Sequence, residues 1–456
     1  ATGASYGLST RGAVPAFFNM PQTFNGTLPS KLSQTGVFAD VATLTPVASL
    51  LPYSPNSPLW SDGALKTRWM AVPYDGGLNT PEQQITFAPT GEWAFPTGTI
   101  FVKHFDLVTD ETNASAPRRR LETRLLVRVP NGGVYGVTYK WRADNSDADL
   151  LTGSLSEDII ITNSSGTRTQ TWYYPSPADC LTCHTPAANY VLGAKTRQLN
   201  GNFNYSASGV TDNQLRTLNH LGMFNPAIDE AAITGYARLV AVTNQAATLE
   251  DRFRSYIDAN CAQCHRPSGT GPTFDARYDT PLASQSIVNA NVLGNLGYDN
   301  AHVVTPKDIW RSILYQRANS TDPLTKMPQL ARNLVDTNAM SVIADWINSL
   351  PGTAALPPPT LVPNGGAFGG NTTITMNDSD PGAVIRYTLD GSLPTTNSIL
   401  YAGPFALNNS AVVLAKAFKV GFNDSVAARA VFTLPGSVFF TPAEFYTNGM
   451  FQVQLS

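Results

Sequence analysis

Two copies of one five-residue pattern, Cys180-Leu181-Thr182-Cys183-His184 and Cys261-Ala262-Gln263-Cys264-His265, use up all four cysteines of the 456-residue chain. A Cys-x-x-Cys-His run reads as the covalent attachment site of a c-type haem. The spacing suits that chemistry: two thiols one turn apart add across the two vinyl groups of the macrocycle, and the next residue presents its imidazole to the iron as proximal ligand. The competing reading is a redox dithiol or half of a zinc site. Zinc needs further Cys or His ligands nearby, and a thioredoxin-type pair does not require a histidine directly after its second cysteine. Two complete copies therefore predict two covalently bound haem c groups, one on Cys180, Cys183 and His184, the other on Cys261, Cys264 and His265.

A chain of this length predicts about two to four domains. With 30 Lys and Arg against 33 Asp and Glu, there is no electrostatic case for nucleic acid or an anionic membrane as partner. No apolar run approaches the ~18 residues that suggest a membrane span. The amino end, Ala1-Thr2-Gly3-Ala4-Ser5, reads as a mature chain whose export signal has been removed.

Composition shifts along the chain predict a multidomain protein. Residues 1–175 contain alternating runs at 99–108, 121–129, 133–141 and 158–162, with a hairpin signal at Pro130-Asn131-Gly132-Gly133; an antiparallel β-sandwich is expected. Residues 176–352 turn helical and predict a mainly α-helical region holding both haems. Thr248 caps one helix, Thr305-Pro306 opens a second, and Asp336 caps a third whose stripe is Met340, Ile343, Trp346, Ile347 and Leu350; a further helix is expected over 211–224. Residues 353–360 read as a Pro-rich linker, residues 361–434 as a C-terminal Ig-like β-sandwich, and residues 435–456 as the start of a further β-module or a strand-donating tail.

Three resemblances sharpen this reading. The helix before the second motif, the loop Thr325-Lys326-Met327-Pro328 and the terminal tryptophan-striped helix resemble the class I cytochrome c fold. The resemblance implies His265 and Met327 as axial ligands of the second haem. The run Ile385-Arg386-Tyr387-Thr388-Leu389-Asp390-Gly391-Ser392 resembles the small β-sandwich appended to chitobiases and β-hexosaminidases, with Asp390-Gly391 expected to turn between two strands. The runs from Tyr53 to Gly63, Leu121-Glu122-Thr123-Arg124 and Thr196-Arg197-Gln198-Leu199-Asn200 resemble a genome-defined family of bacterial dihaem c-type cytochromes. That likeness implies a periplasmic or extracellular protein with the β-domain packed on the first haem.

The first haem's distal ligand is the open assignment. His104, on the face of Ile100 and Val102, ranks first, Met223 second and His220 third, while His302 carries no ligand signature. Arg124 and Arg197 are candidates to pair with haem propionates, since guanidinium binds carboxylate bidentately. Asp144, Asp147 and Asp149 form a weak calcium candidate, read in preference as a solvated turn. The run Arg118-Arg119-Arg120 reads as the exposed start of a strand.

These features predict an electron-transfer protein rather than an enzyme, exchanging single electrons with redox protein partners and using its C-terminal module as a spacer or for polysaccharide contact. A dihaem peroxidase-like enzyme and a subunit of a conductive filament, contacting copies of itself, are the alternatives.

Overall fold

A computed structural model describes residues 5–435 apart from Pro272 and Ala331. The expected module start at 435–456 therefore lies almost wholly outside the described residues. The chain is rich in β-structure and divides into two compact units. One runs to Gln285 and takes in residues 319–342; the other comprises residues 286–318 and those from 343 on. This division cuts the chain differently from the expected boundaries near 175 and 352.

The first unit is built on a six-stranded antiparallel meander: β1 (Leu51–Pro52), β2 (Leu65–Ala71), β3 (Ile100–Leu107), β4 (Arg119–Arg128), β5 (Val134–Trp141) and β6 (Ala148–Leu151), paired in that order. Alternation sends Ile100 and Val102 to one apolar core with Leu125, Val137 and Tyr139, and Phe101 to another with Met70, Trp93 and Leu215. Both faces are thus covered. A long hairpin, β7 (Leu155–Asn163) with β8 (Gly166–Tyr174), packs Ile159, Ile161 and Trp172 against Phe105 and Leu121. Of this hairpin only the stretch 158–162 carried a readable alternation.

Helices follow in short pieces: α1 (Pro177–Cys183), α2 (Thr196–Leu199), α3 (Gln214–His220), α4 (Leu249–Asn260), α5 (Ile313–Ala318) and α6 (Thr337–Ser349). This stretch is less helical than expected. The helix expected over 211–224 shrinks to α3, because β9 (Asn202–Tyr205) claims β10 (Val210–Asn213) as its hairpin partner and Asn213 then caps α3 through Leu215 N. The helix expected from Thr305 forms only at Ile313. Lys307 is left-handed, and Asp308 takes the Arg311 N–H while the Ser312 hydroxyl donates to the Asp308 carbonyl, closing a turn instead. The other two caps hold: Thr248 Oγ1 accepts from Asp251 N and Asp336 Oδ1 from Ala339 N.

In the second unit the C-terminal module packs two sheets face to face. Strands β11 (Thr360–Val362), β13 (Thr372–Asn377) and β16 (Phe405–Leu407) form one, in the order β11-β13-β16. The other is β12-β18-β17-β14-β15, from β12 (Gly366–Ala367), β14 (Val384–Thr388), β15 (Ile399–Leu400), β17 (Ala411–Phe418) and β18 (Ala428–Thr433). Ile374, Met376, Val413, Ala415 and Phe432 fill the space between them. Asp390-Gly391 does not make the expected two-residue hairpin. It sits in the longer connection from β14 to β15, where Asp390 Oδ1 accepts from Ser392 N and Gly391 takes φ +78°.

The segment 353–360 is not a free spacer. Ala355 N donates to Lys307 O, Leu356 N to Asn423 O, and Leu356 is buried. Beside it Arg311 donates to the carbonyls of Asp424 (2.7 Å) and Ser425 (3.1 Å) and pairs with Asp299 and Asp308, while Lys416 pairs with Asp299 and Asp424. The module is thereby fixed to residues 299–311.

Candidate cofactor cavity

The first Cys-x-x-Cys-His motif is presented by α1. Ser176 and Asp179 close a capping box at its N-terminus, with Asp179 N donating to Ser176 Oγ and Ser176 N to Asp179 Oδ2. The helix lies against β5 at Gly136. A Cβ there would stand 2.7 Å from Cys180 Sγ, so only glycine permits the approach. His184 ends the helix, and its Nδ1 donates to the Tyr190 carbonyl at 2.5 Å. That bond sets the tautomer and leaves Nε2 as the lone-pair nitrogen, the arrangement a metal-ligating imidazole needs. Burial pushes the imidazole down to about 4, against the pull of the Tyr190 carbonyl, so the ring is neutral at physiological pH.

The second motif follows α4 directly. Cys261 N and His265 N donate to Ile257 O and Cys261 O, carrying the helical turn into the motif. The His265 ring stacks on Phe274 with centroids 4.1 Å apart, and Gly271 lies under it, where a Cβ would come within 2.7 Å of the ring.

The two motifs meet. Cys264 Sγ lies 4.0 Å from the Thr182 carbonyl, and interaction between the thiols of Cys183 and Cys264 pushes Cys183 up and brings Cys264 down to about 6. Beside them opens a cavity with about 1550 Å³ of empty space, its mouth and the adjoining open solvent included. Its walls include Cys180, Cys183 and His184 of the first motif, Phe101 and Leu126 of the sheet, Ala262 and Gln263 within the second motif, and Pro328 and Leu330. Two thiols, an oriented imidazole and a largely apolar recess are chemically suited to a flat macrocycle attached at Cys180 and Cys183.

The sequence candidates for the first distal ligand do not line this cavity. His104 is fully buried on the opposite face of β3, as its alternation with Ile100 and Val102 dictates. Its Nε2 donates to Asp106 Oδ1 (3.0 Å) and its Nδ1 accepts from the Thr123 hydroxyl (2.8 Å), which in turn accepts from Trp141 Nε1 (3.0 Å). Both ring nitrogens are thus occupied. Met223 is fully buried in the apolar core around Trp93 and Phe224. His220 stacks on Tyr6 at 3.6 Å, and His302 lies in the other unit, 3.4 Å from Thr305 Oγ1. Met327 is half-buried, and Pro328 beside it reaches the cavity.

Glu92, Lys195, Asp258 and Arg266, which the sequence did not single out, complete the walls. Lys195, Arg197 and Arg266 meet Glu92, Asp258 and Asp279 in a buried network, with Arg197 Nε to Asp258 Oδ2 at 2.8 Å, Arg197 Nη1 to Asp279 Oδ2 at 2.6 Å and Arg266 Nη2 to Glu92 Oε1 at 2.7 Å. Three cations face three carboxylates, and Arg197, expected as a propionate partner, does not line the cavity. Burial pushes the carboxyls of Glu92 and Asp258 up, but Lys195 and Arg197 outweigh it and hold both below the usual range. Arg124 does line the cavity, gripped bidentately by Glu122.

The acidic run offers calcium no convergent set. Asp144 caps Ser146 N, Asp147 accepts from Ser33 N and Oγ, and Asp149 pairs with Arg142. Arg119 pairs with Glu157, and Arg120 lies over Trp141. Among the described residues no three His, Cys, Asp or Glu side chains are placed to share a metal ion, and no helix is long and apolar enough to cross a membrane.

The chitobiase/beta-hexosaminidase C-terminal domain family matches residues 363–429, within the two-sheet module. No curated protein and no solved structure matches the chain.

Proposed function

We propose that this chain is an exported dihaem c-type cytochrome that passes single electrons outside the cytoplasm, with redox proteins as partners. The observation that carries the reading is the contact of Cys183 with Cys264, which sets the two attachment motifs side by side. Bound there, the haems supply one-electron chemistry whose potential the axial ligands and buried charges tune. The chain's own residues orient and shield them. Tyr190 fixes the His184 ring, Gly136 admits α1 to the sheet, and Phe274 and Gly271 hold the His265 ring in place. Met327 is the proposed distal ligand of the second haem. The matched module supports a role as a fixed accessory domain, with polysaccharide contact as its proposed use.

A dihaem enzyme, peroxidase-like in kind, is the second reading. It draws support from the cavity lining, which holds no methionine and no histidine but His184 among the described residues. An open sixth position binds small molecules, whereas a closed one only relays electrons.

Mass spectrometry of the protein exported by a host with haem-attachment machinery tests the proposal. The expected result is a mass increased by two haems, retained after acid-acetone extraction and lost at one motif in Cys183→Ala. A chain carrying no haem defeats both readings. Rapid peroxide turnover by the reduced protein selects the second.

A further inference from the structure

Three adjacent strands place cations directly opposite one another on the cavity side of the sheet. Arg68 of β2 pairs in register with Lys103 of β3, and Lys103 pairs with Arg124 of β4. Arg68, Lys103 and Arg124 all line the cavity, and Lys66 stands two residues from Arg68 on the same face, its Nζ donating to Leu59 O at 2.9 Å. Like charges directly opposite across a sheet destabilise it. Only one carboxylate, Glu122, pairs with this row, and Arg124 takes both its oxygens. The other acids nearby are engaged elsewhere. Asp62 accepts from Asn333 N and Leu334 N, Asp336 caps α6, Asp179 caps α1, and Glu92 and Asp258 belong to the Arg197 network.

Arg68 is the sharpest case. It is 8 % exposed, yet no hydrogen bond or ion pair of its guanidinium occurs among the described residues. Burial and the mutual repulsion of the row hold Lys103 well below the ordinary lysine value and Lys66 down at about 7. The guanidinium opens onto the cavity, and an anion there offsets the repulsion along the row.

We infer that the row Arg68, Lys103 and Arg124, with Lys66 beside it, is a receptor for carboxylate or related oxyanion groups entering the cavity. In its principal form the inference rests on the haem reading, and the anions are the propionates of the group tethered at Cys180 and Cys183. A free small oxyanion has the same chemistry. The receptor differs from the sequence-based pairing: it keeps Arg124, leaves out Arg197, which does not line the cavity, and adds Arg68, Lys103 and Lys66.

The test uses the haem-loaded full chain as wild type, Arg68→Gln, Lys103→Gln and Arg68→Lys, with haem content checked by mass and folding by thermal melting. If propionates are the anions, each Gln variant lowers the reduction potential of one haem and leaves the other unmoved. The expected size is about tenfold in the reduction equilibrium, about 59 mV for one electron, and Arg68→Lys restores most of it. If a free oxyanion is the ligand, the potentials stay put, inorganic phosphate binds wild type saturably, and Arg68→Gln weakens it at least tenfold. Either result supports the receptor. Unchanged potentials together with no substitution-sensitive phosphate binding overturn it. Should Arg68→Gln fail to accumulate, Lys103→Gln, at a half-buried position, carries the same measurements. A haem-free chain defeats the haem reading instead, and the phosphate arm still decides the receptor.

Discussion

Asp258 shows how a single side chain ties the cavity wall together. It accepts from Arg197 Nε and from Tyr278 N, and Arg197 itself is 1 % exposed. Asp258→Asn keeps the shape but strands a buried guanidinium, so a loss of about 3–5 kcal/mol is expected, measured by urea unfolding. The pH dependence follows in sign. Glu92 and Asp258 are held below their ordinary value in the folded chain, so their contribution is complete above about pH 4. It is lost as the pH falls below that, through the depressed values. Melting temperature measured from pH 6 to pH 2 should therefore drop in wild type, and drop less in Asp258→Asn. None of these partners was legible in the sequence, because Glu92, Arg197, Asp258 and Asp279 stand far apart along the chain and converge only through folding. His104 and Lys103 make the same point more sharply. Period-two alternation correctly gave His104 the face of Ile100 and Val102, but which face borders the cavity depends on register and on where α1 docks.

Among the elements, strands and caps were the most readable. The runs 99–108, 121–129 and 133–141 match β3, β4 and β5 to within about two residues, because β-branched and aromatic residues bounded by turn residues mark each. Helices were over-read wherever a side chain offered the backbone another partner, as Asp308 does before α5. The docking of α1 on β5 gives a direct prediction. Gly136→Ala forces a methyl to within 2.7 Å of Cys180 Sγ, and haem occupancy at the first motif should fall by half or more while the second is spared. Peptide mass mapping separates the two sites. The approach of Cys264 to Thr182 and Cys183 gives another. Chain made without haem attachment and then oxidised should join these two cysteines in a disulfide, seen as a crosslinked peptide that disappears on reduction. A crosslink of Cys180 with Cys183 in its place would mean that the motifs do not meet.

At the scale of the whole molecule, the two-unit division was hidden because residues 286–318 belong with the C-terminal module and not with the sequence flanking them. Proline composition suggested a stiff linker, and hydrogen bonding to Lys307 and Asn423 packs it down. Arg311→Ala takes away the donor to Asp424 and Ser425 and leaves Asp308 short of a cation, while Asp299 keeps Lys416. Limited proteolysis within 353–360 should then speed up by roughly tenfold or more, the equivalent of about 1.4 kcal/mol of lost local stability. An unchanged rate would mean that Ala355 and Leu356 hold the segment without help from the arginine. The pinned segment also has a mechanical side. A tug on the sandwich is resisted first by the rungs from Ala355 to Lys307 and from Leu356 to Asn423, so the proline run works as a brace and not as a tether.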